Sequence, residues 1–234
     1  MRVTRAVATL GALLGLACSI ARAGDDPVYS NDVRLGMYYV FYDVSASDIA
    51  GPGIPPGENL NVNLNNLVTL YAAYVRRLSP HFSFELTAGY PPLTKTVGRG
   101  PATVGSVPYN GVVISTARWF APTGLLEYNF FDEDRRFRPY LGVGVNYTRF
   151  FARQSTAAGD EISGGPTQIS LPASVGIAGT VGLSYRIANR FHVYASYSAS
   201  TIRSKLTADT AGVLRTSSIS FGPQAVVVSL GWAF

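Results

Sequence analysis

An all-β fold, an eight-stranded antiparallel transmembrane β-barrel, is what this 234-residue sequence predicts, and three observations predict it. From residue 33 onward apolar residues recur with a period of two, the signature of strands whose two faces meet different surroundings. The connections alternate between tight polar turns and long stretches rich in Gly, Pro, Ser, Thr and Asn. The faces opposite the apolar ones carry Gly, Ala, Ser and Thr in place of charges, and charged residues make up only 14% of the chain.

Residues 1–23 read as a secretory signal. Arg2 and Arg5 form a positive start, "AVATLGALLGLA" is an apolar core too short to span a bilayer, and Ala21-Arg22-Ala23 is a small-x-small cleavage site. The domain proper is then 24–234. Its strands follow in order. In "VRLGMYYVF" Val33, Leu35, Met37, Tyr39 and Phe41 share one face; in "VTLYAAYV" Val68, Leu70, Ala72 and Tyr74 do; in "FSFELTAGY" Phe82, Phe84, Leu86, Ala88 and Tyr90 do. Further strands are expected at 117–130, 138–151, 174–187 and 190–203, and "AVVVSLGWAF" (225–234) is the eighth. Between them "LSPH" (78–81), "FDEDRR" (131–136) and "ANR" (188–190) are short turns, whereas 44–64, 91–115, 153–172 and 204–221 are long loops. Short turns on one side and long loops on the other describe a bacterial outer-membrane barrel, with its turns in the periplasm and its loops outside the cell.

A soluble sandwich would hide its apolar faces and show polar ones to water. Here the second face is too small and too uncharged for that, and it suits the inside of a narrow barrel of ~8 strands. Closure also satisfies every backbone donor where no water is present. Tyr90, Tyr128, Phe130, Tyr140, Phe151, Phe191, Trp232 and Phe234 fall near strand ends and are assigned to the two interfacial aromatic girdles.

Removing Arg2, Arg5 and Arg22 with the signal leaves 16 basic against 14 acidic residues, so the formal charge falls from +5 to +2. No basic stripe remains, and no nucleic-acid partner is expected. Cys18 leaves with the signal; read instead as a lipidated residue in "GLAC" it would need a larger aliphatic where Gly15 stands. Two distant histidines and no thiol give no metal site, and no cofactor is expected. His192 and Ser196 are poorly spaced for a lipid-deacylating pair, so no enzyme activity is expected. Asn146-Tyr147-Thr148 lies mid-strand and is a chance glycosylation triplet.

The stretch "FAPTGLLEYNFFDEDRRFRPYLGVGVNYTRFF" (120–151) resembles the OmpW family of outer-membrane proteins. The likeness lies in Pro122-Thr123, the aromatic strand end Tyr128 and Phe130, the acidic turn 132–134, and the run from Arg138-Pro139-Tyr140 through Gly142, Gly144, Asn146-Tyr147-Thr148 to Phe150-Phe151. Weaker likeness covers "FELTAGYP", "GTVGLSYRIANR" and the terminal "GWAF". The resemblance implies an eight-stranded barrel and passive uptake of small hydrophobic molecules. It fits the alkane-importing branch and the general branch equally.

If Val226, Val228 and Leu230 face lipid, the opposite parity faces the lumen. Near the periplasmic ends that parity carries Arg34, Arg77, Glu85, Glu127 and Arg186, and charges in a narrow lumen must be paired. Arg34 and Arg186 are expected to meet Glu85 and Glu127 as a plug. Toward the outside, Tyr38, Val40, Tyr42, Leu67, Tyr71, Trp119, Leu125 and Phe150 form an apolar funnel. Pro91, Pro92 and Pro122 cannot donate to the ladder, so a seam between the third and fourth strands should lack hydrogen bonds and open sideways. Trp232 and Phe234 resemble the terminal signal read by barrel-assembly machinery. The expected partners are outer-membrane lipid, small hydrophobic solutes and that machinery, with the barrel a monomer. A structural or receptor barrel without transport is the alternative.

Overall fold

The computed structural model describes residues 30–54, 59–104 and 107–234. The expected signal and Cys18 lie outside the described residues. The strands are β1 (Asn31–Ala46), β2 (Asn61–Leu64), β3 (Leu67–Arg77), β4 (Phe82–Gly89), β5 (Leu93–Arg99), β6 (Thr103–Val104), β7 (Val107–Pro108), β8 (Val113–Phe120), β9 (Thr123–Asn129) and β10 (Phe137–Ser155). After a short helix, α1 (Ala157–Ser163), come β11 (Thr167–Ser170), β12 (Ser174–Ala188), β13 (Phe191–Ser200), β14 (Ile202–Thr210) and β15 (Val213–Ala233). No helix among the described residues is long and apolar enough to cross a membrane.

Eight of these strands close a ring through antiparallel pairs: β1 with β3, β3 with β4, β4 with β9, β9 with β10, β10 with β12, β12 with β13, β13 with β15, and β15 with β1. Closure brings the ends of the chain together: Asn31 N–H donates to the Phe234 carbonyl at 3.1 Å and Phe234 N–H to that of Asn31 at 2.9 Å. No sheet edge is left in the ring, which is what a backbone in hydrocarbon requires.

The expected parity holds around the wall. Leu35, Met37, Val68, Leu70, Leu141, Val143, Val145, Ile177, Val181, Leu183, Val228 and Leu230 are exposed on the outside, while Arg34, Tyr38, Val40, Tyr71, Glu85, Leu125, Glu127 and Val227 are buried inside. Along β10 the outward residues run Phe137, Pro139, Leu141, Val143, Val145 and Tyr147 before Arg149 interrupts them. Ten residue steps at ~3.3 Å and a tilt of ~40° make an apolar band roughly 25 Å tall, the height of an outer-membrane hydrocarbon layer. Trp232 and Phe234 stack at 5.1 Å between ring centres on the outer face, placing an aromatic pair at the periplasmic border. Tyr140 is a correction to the girdle. It sits on the inward parity of β10 and is buried.

The three short turns fall at their expected places, but the long connections are not simple loops. The expected strand 117–130 breaks at Ala121-Pro122 into β8 and β9, because proline brings no donor. β14 and the first half of β15 form a hairpin over 202–221, taking in the whole of the expected loop 204–221. Its two-residue turn has Ala211 at φ 50° and Gly212 at φ 88°, the left-handed pair that a tight hairpin requires. The upper parts of β1, β10 and β15, with β2, β5, β8, β11 and β14, carry the barrel wall beyond the membrane. Their Gly, Pro and Thr content reads as loop in sequence, and pairing across the chain overrides it.

Candidate functional site

The lumen holds three spaces in series. At the periplasmic end is an open vestibule lined by Ser30, Asp32, Arg77, Arg138, Arg186 and His192 among others. Above it Arg34 crosses the barrel. Its Nη1 donates to Glu85 Oε2 at 2.6 Å, and its nitrogens lie 3.7 Å from both Glu127 Oε2 and Asp32 Oδ2. Tyr71 donates to the other Glu85 oxygen at 2.9 Å, and Ser83 donates to Glu127 at 3.0 Å. Tyr194 donates to Asp32 and lays its ring 3.8 Å from the guanidinium carbon, with the Tyr140 ring at 5.5 Å. The cation is thus held by three carboxylates and by the π-faces of two tyrosine rings. Glu127 is fully buried.

Lumen glycines make room for these rings. A β-carbon at Gly182 would lie 2.4 Å from Tyr140, and one at Gly231 would lie 2.5 Å from Tyr194. Any side chain there would displace a ring that packs the plug.

Two of the five residues expected in the plug do not belong to it. Arg186 donates to the Asp134 carbonyl, and Arg77 pairs with Glu133 at 2.9 Å, so both serve the 131–136 turn at the rim. The reason is strand tilt. Arg34, Gly231, His192 and Arg186 follow one another along one ladder row, but in a tilted barrel such a row climbs on one side and descends on the other. Residues equally far from their strand ends therefore stand at different depths. Asp32, Tyr140 and Tyr194 were missing from the expected set, although their inward parity marks them.

Above the plug is a chamber of about 140 Å³ lined by Tyr38, Val40, Tyr42, Tyr71, Trp119, Leu125 and Phe150, with Thr87, Ala88, Gly89 and Ala121 at one side. Leu67, the eighth expected residue, packs behind the Tyr38, Val40 and Tyr71 cluster without lining the chamber. Gly89 admits the Tyr38 ring, whose hydroxyl would lie 2.0 Å from a β-carbon there. A third space higher up is lined by Ile49, Leu60, Tyr109, Ile114, Ile169 and Leu206.

The chamber wall is incomplete beside Pro91, Pro92 and Pro122. The β4–β9 ladder stops at Thr87 and Thr123, and the β5–β8 ladder resumes at Leu93 and Arg118. No backbone hydrogen bond joins 88–92 to 119–122; their bonds run to other neighbours, Tyr90 N–H to the Leu70 carbonyl and Tyr147 N–H to that of Pro122. The Arg118 guanidinium spans the break, donating to the Pro91 carbonyl at 2.7 Å.

His192 lines the vestibule and Ser196 the chamber, on opposite sides of Arg34. Among the described residues no group of three or more His, Cys, Asp or Glu side chains is arranged so that it could hold a metal ion. Asn146 and Thr148 are buried and bonded to one another at 2.6 Å.

A closed eight-stranded barrel with an apolar belt, an ionic plug and an extended outer rim defines a small outer-membrane β-barrel protein. The OmpW family model matches residues 31–234, and the chain belongs to that family. Outer membrane protein W of Vibrio cholerae is 25% identical over 227 residues, 95% of this chain and 98% of that one. The dibenzothiophene metabolism operon protein PahQ of Pseudomonas aeruginosa is 32% identical over 119 residues, 50% of this chain and 51% of that one. The crystal structure of the outer membrane protein OprG from Pseudomonas aeruginosa superposes with a TM-score of 0.76 at 21% identity, covering 87% of this chain and 95% of that chain. The protein is placed in the bacterial outer membrane by these relatives and by its apolar belt.

Proposed function

We propose that the barrel is a channel for passive uptake of small hydrophobic molecules, which enter the upper lumen, reach the apolar chamber and leave sideways into the bilayer. The observation that carries the reading is the chamber itself. It is apolar, it stops at the Arg34 plug, and its side wall contains the unbonded break at 88–92 and 119–122. An uncharged solute gains contact in the chamber and would have to desolvate buried charges to go further down. One relative's name ties it to an operon for dibenzothiophene, an uncharged aromatic, which suits the same chemistry.

The reading calls for no cofactor and no catalysis, and the separation of His192 from Ser196 by the plug agrees with that. We further infer that the last strand is read by barrel-assembly machinery, so that deletion of Phe234 reduces insertion more than it reduces flux through inserted barrels.

Vesicles containing the purified barrel should take up a medium-chain alkane faster than protein-free vesicles and should not take up a charged solute of similar size. Replacing Pro91, Pro92 and Pro122 together by valine restores three donors at the break and should slow alkane uptake. Unchanged uptake by a folded variant would remove the side exit, and flux of neither solute would favour a structural or receptor barrel.

A further inference from the structure

The outer surface just above the apolar band is not uniform. On three neighbouring strands, β5, β8 and β10, the outward positions carry Lys95, Arg118 and Arg149, interleaved with Leu93, Phe120 and Phe151. The register sets these side by side: Leu93 faces Arg118, Arg118 faces Phe151, and Phe120 faces Arg149. One step higher, Lys95 faces Thr116, which faces Gln154. Adjacent strands are ~4.8 Å apart and same-face neighbours along a strand ~6.6 Å apart, so Arg118 stands ~8 Å from Lys95 on one side and ~8 Å from Arg149 on the other, a row of cations ~16 Å long between α-carbons that the long side chains can close onto one bis-phosphorylated headgroup. β5, β8 and residues 149–155 of β10 contain no acidic residue. The outward acid at this height, Asp43, is on β1, across the ring from β10.

Depth identifies what this patch meets. Arg149 is the first outward residue after the roughly 25 Å apolar run on β10, so it emerges at the headgroup layer of the outer leaflet. Arg118 is fixed there by its bond to the Pro91 carbonyl at 2.7 Å and keeps further N–H groups free. Exposed Leu93, Phe120 and Phe151 beside the cations offer apolar contact to acyl chains. Guanidinium and ammonium groups over such a surface match a phosphate carried on a lipid.

We propose that Lys95, Arg118 and Arg149 form a binding site for a phosphorylated glycolipid headgroup of the outer leaflet. The lipid stands next to the break in the wall, with its phosphates along the row of three cations and its chains along Phe120 and Phe151. The proposal concerns the outside of the barrel and does not depend on transport through the lumen.

Native mass spectrometry of the purified barrel in detergent, with chelator present to remove bridging divalent ions, tests it with bis-phosphorylated lipid A as the probe. One saturable lipid should bind, and the triple variant Lys95→Gln, Arg118→Gln, Arg149→Gln should lose at least about tenfold in affinity, the equivalent of ~1.4 kcal/mol. Arg203→Gln with Lys205→Gln, outward cations on β14, should leave binding unchanged. Unaltered binding by the triple variant overturns the proposal. So does equal binding of dephosphorylated lipid A, which would reduce the site to its apolar wall. Full displacement by millimolar inorganic phosphate would also overturn it by showing a soluble-anion site. If the triple variant does not fold, Arg149→Gln alone, fully on the surface, carries the same comparison.

Discussion

Replacing Arg34 by methionine is expected to lower the free energy of unfolding by about 3–5 kcal/mol, the cost of stripping one partner from a buried ionic cluster. Asp32, Glu85 and Glu127 would then face one another across a narrow lumen without their cation. Arg77→Met breaks an ion pair of nearly the same length, but its partners are 28% and 27% exposed at the rim. Solvent screening reduces that loss to ~1 kcal/mol or less. Urea unfolding in lipid vesicles, followed by heat-modifiable gel migration, separates the two cases. Adding Glu85→Gln and Glu127→Gln to Arg34→Met should restore part of the loss, since the penalty resides in the unpaired carboxylates. Equal effects of the Arg34 and Arg77 variants would show that the plug is not the closed ionic centre described above.

The second large effect concerns the chamber. Ala225 lines it and stands opposite Val40 in the β1–β15 register, and an indole there would occupy much of a space of about 140 Å³. Overpacking costs ~1–3 kcal/mol, and each ~1.4 kcal/mol is tenfold, so Ala225→Trp should slow alkane uptake by roughly 5- to 150-fold. Ala195→Trp adds the same ring on the exposed face of β13, opposite Val228, and should leave the rate near that of the parent. Initial uptake rates in vesicles at matched barrel density compare the two.

The period of two made the wall legible from the sequence because each side chain must face either lipid or lumen. Leu35, Val143 and Val228 stand outside, and Tyr38, Leu125 and Val227 inside, as that parity requires. The break at Pro91, Pro92 and Pro122 was legible for a different reason: proline lacks a donor wherever it stands. Parity carries no information about depth. Depth depends on tilt and stagger, which belong to the closed ring, so Arg186 and Arg77 fall at the rim while Tyr140 and Tyr194 enter the plug. The upper wall was hidden because β2, β5 and β11 are short and polar and pair with strands well separated in the chain, and because β14, which folds back on β15 through a two-residue turn, is polar enough to read as loop.

On the proposed path a solute enters from above and turns sideways at the plug. A photoreactive alkyl probe added to vesicles carrying the barrel, with labelled residues mapped by mass spectrometry, tests it most directly. Label is expected on chamber residues such as Tyr38 and Leu125 and on both flanks of the break, 88–92 and 119–122, with Ser30, Arg77 and Arg138 in the vestibule unlabelled. Label in the vestibule with both flanks bare would contradict it, because the solute would then have passed straight through Arg34.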